Sequence, residues 1–189
     1  MSHYAALLDA NVLYPAPMRD LLIQLAQTNL FKAKWTADIH REWIDALLRN
    51  EPRRDRATLE RTRDLMDRAV RDCLVTDYEP LITALVLPDE RDRHVLAAAI
   101  VGRCDVIVTQ NLKDFPAHAL AAYGIEAQHP DEFLSNHLAL APGIFCDAVR
   151  KLRARLKNPL YSVEDYLGTL TQQGLVATAA ELGGFASVL

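Results

Sequence analysis

Two short apolar runs, each followed or closed by a polar residue, constrain this chain more than any other feature. YAALL at 4–8 leads into Asp9, and DVIVT at 105–109 ends on Thr109. Runs this short and uniformly apolar read as buried strands. Between them the apolar residues recur at helical spacing. MRDLLIQLAQTNLF at 18–31 places Leu21, Leu22 and Leu25 on one face, and TADIHREWIDALL at 36–48 does so with Ile39, Trp43, Ala46 and Leu47. The arginine-rich stretch 55–73 repeats Leu59, Met66, Ala69 and Cys73, and DRHVLAAAIVG forms a helix ending near Gly102. A shorter strand candidate, GIEAQ at 124–128, runs into HPDEFL, whose Pro-Asp-Glu pattern starts another helix. Strands separated by helices in this way predict an α/β fold, a central parallel sheet covered on both faces.

The 189 residues suffice for one well-buried core and a small appendage. Past residue 140 the texture changes. Pro142 and Gly143 interrupt the pattern, and only helical signals follow: 144–157, a start at Ser162 with Glu164 and Asp165 in its first turn, and GLVATAAEL. The expected division is a main domain at 1–140 and a helical extension at 141–189. Val149, Leu152 and Leu156 in one helix, and Leu167 and Leu170 in the next, are apolar faces that must be covered by the main domain or a partner.

Several function classes fall away on composition. No apolar segment is of spanning length, and no signal-like N-terminus is seen, so the sequence reads as cytosolic, a cytoplasmic protein with no membrane association. Cys73, Cys104 and Cys146 are far apart and in no CxxC pair, which argues against a disulfide framework or structural zinc. The six histidines form no HExxH-like pair. A net charge of −4 does not by itself indicate nucleic acid, although 148–161 carries Arg150, Lys151, Arg153, Arg155 and Lys157 without an acid.

The acidic residues are more informative. In open parallel sheets, ligands bind beyond the carboxyl ends of the strands. Asp9 follows the first strand and Thr109 ends the second, while Asn111 and Asp114 lie in the loop after it. Asp92 falls at the start of the DRHVLAAAI helix, and Glu42 borders an apolar stripe where a carboxylate needs a partner. Each has a plainer reading alone: Asp9 as a turn former, Asp92 as a helix-dipole residue, Glu42 as a side chain reaching water. Together, several carboxylates at one sheet edge would repel one another. A hard divalent cation with oxygen ligands, Mg²⁺ or Mn²⁺, relieves that repulsion and activates water for attack on a phosphate.

LLDANVLY, WTADIHREWIDAL, LPDERDRHVLAAAIVGRCDVIVTQNLKDFP and GIEAQHPDEFL occur in the order expected of a PIN domain. Over roughly residues 4–134 the chain resembles that family, and within it the virulence-associated protein C (VapC) toxins. The resemblance implies a PIN-like three-layer fold with a central parallel sheet between helices, and Mg²⁺- or Mn²⁺-dependent endoribonuclease activity on RNA. It further implies a cognate antitoxin and a homodimer. Carried over by position, the acids are Asp9, Glu42 and Asp92, and the hydroxyl is Thr109. Asn111 stands where the family commonly has a further aspartate. Asp114 is the nearest substitute ligand, or else caps the next segment. Asp89 is a second candidate, or a helix-start residue. Asn11 supports the site, and Arg91, Arg93 and Lys113, with the 150–157 cluster, are candidates for the RNA backbone.

Two rival readings differ in kind. A phosphatase of the haloacid dehalogenase type also starts from an aspartate after an apolar strand, but needs a second acid two residues on, where this chain has Asn11. A PIN-fold protein that binds RNA or a partner without cutting is kept open by Asn111.

Overall fold

The computed structural model describes residues 4–156 and 161–189, so Lys157 of the basic run lies outside the described residues. The chain runs through β1 (Ala5–Leu8), α1 (Ala10–Leu13), α2 (Ala16–Ala26), β2 (Lys32–Lys34), α3 (Ala37–Asn50), α4 (Arg56–Ala69), α5 (Glu79–Ile82) and α6 (Arg93–Val101). It continues through β3 (Val106–Val108), α7 (Ala117–Leu120), β4 (Glu126–Gln128), α8 (Pro130–Leu140), α9 (Pro142–Arg153), α10 (Val163–Gln172) and α11 (Val176–Gly183). The sheet order is β2-β1-β3-β4 and every pairing is parallel, with Leu7 opposite Ile107 in the central pair. All residues of β1 and β3 are buried, as a sheet covered on both faces requires. This is the α/β fold with a covered parallel sheet that the apolar runs predict, and it agrees with the PIN-like fold that the resemblance implies.

β1 has β2 on one side and β3 on the other, so successive connections leave it in opposite directions and open a crevice beyond its carboxyl end. The backbone N–H of Asp9 still donates to Val108 O at 3.1 Å, which brings the ends of β1 and β3 together before the chains diverge.

Strand β2 is the element the sequence reading does not contain. Lys32-Ala33-Lys34 looks like solvated chain, but it is an edge strand whose only buried residue is Ala33. The preceding helix also stops at Ala26 rather than near residue 31, and Asn29 takes a left-handed φ of 62° to turn the chain back toward the sheet. Gly102 ends α6 as expected, for a reason beyond capping: a Cβ there would stand 2.9 Å from both Ala98 O and Val75 Cγ2. The three cysteines are free and buried.

Thr36 caps α3, its hydroxyl accepting from Ile39 N at 3.1 Å. Below that cap, buried His40 accepts from Trp43 Nε1 at Nδ1 (2.9 Å), which leaves its Nε2–H to donate to Asp67 of α4 at 2.9 Å. Trp35 Nε1 donates to the same carboxylate at 2.8 Å. The shared Asp67 thus fixes α3, and with it Glu42, against α4 and the sheet.

The C-terminal helices pack on the main domain. α9 lies against α2 and α8, and α11 lies against α8 and α10. Val149, Leu152 and Leu170 are buried in these contacts. Asp131 of α8 makes the polar tie: its carboxylate accepts from Ala177 N and Thr178 N, both at 2.8 Å, and from the Thr178 hydroxyl. It therefore caps the start of α11 from another helix. Arg153 donates to the carbonyls of Tyr161 and Leu189, so it serves the extension's own structure. Arg150 and Lys151 share the single negative charge of Asp147, one turn upstream.

Candidate active site

Asp9 is buried at the mouth of the crevice, where it begins α1. Its Oδ1 accepts from Ala10 N at 2.7 Å, and its Oδ2 accepts from the Thr109 hydroxyl at 2.7 Å and Asn11 Nδ2 at 2.6 Å. Thr109 Oγ1 also accepts from Asn11 Nδ2 at 2.9 Å and from Asn111 N at 3.0 Å. Asn11 Oδ1 accepts from Gln110 N at 3.0 Å. The two strand ends are thus stitched by a hydrogen-bond network with Asp9 at its centre. Burial raises the Asp9 pKa, the Thr109 and Ala10 bonds oppose that rise, and the charge of Glu42 adds to it. Asn11 carries a carboxamide, which is far too weak an acid to protonate a leaving group, and the network holds it as a donor and acceptor. The dehalogenase-type chemistry has no support here.

Asp92 closes the 3₁₀ turn Glu90–Asp92 and precedes α6, but its side chain does not cap that helix. Its pKa is pushed up to about 6, first by burial, then by the charges of Asp9, Asp89 and Asp114. Asp92 is therefore where the acids of three separate segments act together. Asp89 itself caps the 3₁₀ turn through Arg91 N at 2.9 Å and binds the Arg91 guanidinium.

Asp114 lies at the end of the turn Leu112–Asp114 and accepts from the Asn111 side-chain amide. It does not cap the following segment: α7 follows Pro116 and has no side-chain cap. Glu42 projects from α3 and pairs with His94 of α6, Oε1 to Nε2 at 2.9 Å. His94 is the residue that sequence reasoning missed. Burial works against its charged form, but the Glu42 bond, with Asp38 and Asp9 behind it, outweighs burial and raises its pKa. Its signal was present: a histidine two residues past Asp92, in a helix that is apolar from Val95 onward.

Among the cationic candidates, Arg91 has 89% of its side chain exposed, though it is paired with Asp89. Arg93 pairs with Glu90, and exposed Lys113 makes no ion pair among the described residues.

The donors suit a hard divalent cation. They are carboxylates and amide carbonyls, and burial together with the neighbouring acids raises the Asp92 pKa to about 6. They do not form a ready cage, because Glu42 is turned to His94 and the Asp9 oxygens hold protein donors. Among the described residues, no three histidine, cysteine, aspartate or glutamate side chains stand as a group that could hold a metal ion.

Comparison with known proteins agrees with this architecture. The PIN domain family model matches residues 5–113, and a model described as the VapC50 C-terminal domain matches residues 130–184. The chain belongs to the PIN domain family. A relative named "Putative ribonuclease VapC50", from Mycobacterium tuberculosis (strain ATCC 25618 / H37Rv), is 60% identical over 63 residues. That match covers 33% of this chain and 37% of the relative. No solved structure matches. Among the described residues, no helix is long and apolar enough to cross a membrane.

Proposed function

We propose that this chain is a metal-dependent endoribonuclease, the toxin of a toxin–antitoxin pair, with its site at Asp9, Glu42 and Asp92. The observation that carries this reading is the convergence of acids on Asp92 at the crevice beyond β1 and β3. Crowded carboxylates without a lysine among them are what a cation-assisted phosphate site needs, and an unneeded cost elsewhere. Asp9, Asp92 and Glu42 would hold the ion, with Asp114 or the Asn111 carbonyl completing the set. The chemistry supplied by bound Mg²⁺ or Mn²⁺ is activation of water and neutralisation of phosphate charge. Thr109 and Asn11 keep the Asp9 carboxylate oriented, and His94 holds Glu42 in reserve nearby. Arg91, Arg93 and Lys113 would take flanking phosphates.

In this reading residues 1–140 are the nuclease domain and 141–189 a helical extension. A cytoplasmic location, a cognate antitoxin and a homodimeric state are part of the same reading and rest on the resemblance to VapC toxins. Light scattering checks the dimer, and co-expression with the neighbouring reading frame checks the antitoxin.

A second reading is favoured by one observation, the engagement of Glu42 by His94 together with Asn111 at the family's acidic position. On it, the chain binds RNA without cutting. Incubation with a mixed RNA pool separates the two: the nuclease gives fragments with Mg²⁺ and none in EDTA, whereas a binder retains RNA in both and fragments it in neither.

A further inference from the structure

Beside the carboxylates lies a cleft of about 640 Å³ whose walls come from two parts of the chain. One wall belongs to the PIN domain and includes Asn11, Tyr14, Glu42, Arg49 and Asn50, with Gln110 at its edge; the other is formed by Gln172 and Gln173 at the end of α10. It shares Asn11 and Glu42 with the candidate active site.

The carboxamides in this cleft are numerous and only partly used. Asn11 is committed to the Asp9–Thr109 network. Asn50 donates to the Tyr14 hydroxyl at 3.0 Å, and its side-chain carbonyl accepts nothing among the described residues. Among the described residues, the side chain of Gln110 makes only a long contact of 3.9 Å to Met18 Sδ. Among the described residues, the side chains of Gln172 and Gln173 bond nothing. They are nevertheless well placed. Gly174, with φ +82°, closes α10: its N–H donates to Thr171 O, and Leu175 N donates to Leu170 O, each at 3.0 Å. Leu170 and Leu175 are both completely buried, so the helix end that carries the two glutamines is anchored in the core.

Paired amide donors and acceptors match the edges of nucleobases, and unpaired bases in RNA expose those edges. Tyr14 offers a ring for stacking, and Arg49, which has no ion pair among the described residues, offers a cation for phosphate. The carbonyl end of α10 disfavours a phosphate against the glutamine wall, which leaves that wall to a base. We propose that this cleft is a nucleotide subsite for single-stranded RNA next to the scissile phosphate, and that Gln172 and Gln173 give the C-terminal extension a part in sequence selection. The proposal rests on the ribonuclease reading above.

The test uses the full chain, short fluorescent single-stranded RNAs, and sequencing of fragments cut from a mixed RNA pool with Mg²⁺. Anisotropy in EDTA reads binding apart from cleavage. Gln172→Ala/Gln173→Ala should weaken binding of the preferred sequence about tenfold, the scale of one lost bidentate base contact, and flatten the cleavage-site preference. Arg49→Ala should weaken all sequences alike. Circular dichroism and melting temperature check that both proteins fold. If wild type cuts RNA and the double variant keeps its affinity and cleavage pattern, the subsite is wrong and the ribonuclease reading stands. If wild type neither binds nor cuts RNA, both are wrong.

Discussion

The hydroxyl of Thr109 donates to Oδ2 of Asp9 at 2.7 Å, a bond between residues 100 apart in sequence. It joins the ends of the two central strands and fixes the carboxylate at the crevice. Thr109→Val keeps the shape but removes this donor and the acceptor of Asn11 and Asn111. It should cost about 2 kcal/mol of stability in urea unfolding, because buried polar groups lose their partners. Thr109→Ser retains the hydroxyl and should recover most of the loss.

Asp92 yields a pH prediction. Its pKa of about 6 lies above the ordinary 3.8, so the folded protein binds the proton more tightly than the unfolded chain does. Its stabilising contribution is complete below the unfolded value and lost as pH rises through 6. Asp92→Asn should therefore be more stable than wild type at pH 7.5, by on the order of 1 kcal/mol once solvent screening is counted, and show no advantage near pH 3.5. Added Mn²⁺ should reverse the order at pH 7.5, raising the melting temperature of wild type far more than that of the variant. Thermal melts across pH, with and without the ion, give both comparisons.

These two residues show how much could be read from sequence. Asp9 and Thr109 were legible because short buried strands announce their own ends, and Ser162 was legible as a helix start because a capping box is local: it accepts from Asp165 N and donates to that carboxylate. β2 was not, since Lys-Ala-Lys carries no apolar run and is a strand only because β1 pairs with it. His94 and Asp131 were missed or read only locally for a related reason. Each acquires its role from a partner on another helix, Glu42 for one and the start of α11 for the other.

Asp131 can be tested on its own. Its bonds to Ala177 and Thr178 lower its pKa against the effect of burial. The stability it provides is present above the unfolded value and disappears as pH falls through the folded one. Asp131→Ala should cost about 2 kcal/mol at pH 7, in the range of a lost helix cap with its hydrogen bonds, and progressively less as pH falls below the unfolded value. Hydrogen exchange should show the loss of protection concentrated in α11 and the neighbouring α10. A uniform loss over the whole chain would instead make Asp131 part of the global core.

Glu42 and His94 bear on the ion. His94→Gln removes the partner that holds Glu42 at 2.9 Å. If Glu42 must leave His94 to reach a cation, the variant should bind Mn²⁺ at least as tightly as wild type in a calorimetric titration, whereas Glu42→Gln should bind it more weakly. Weaker binding by His94→Gln would mean that the imidazole positions Glu42 for the ion.

The most direct measurement is the initial rate of RNA cleavage with Mg²⁺ by wild type, Asp9→Asn and Asp92→Asn, each confirmed as folded by circular dichroism. The account predicts metal-dependent cleavage by wild type, abolished in EDTA, and a fall of about a hundredfold or more in each variant. Cleavage by either variant at the wild-type rate, or wild-type cleavage undiminished in EDTA, would contradict it.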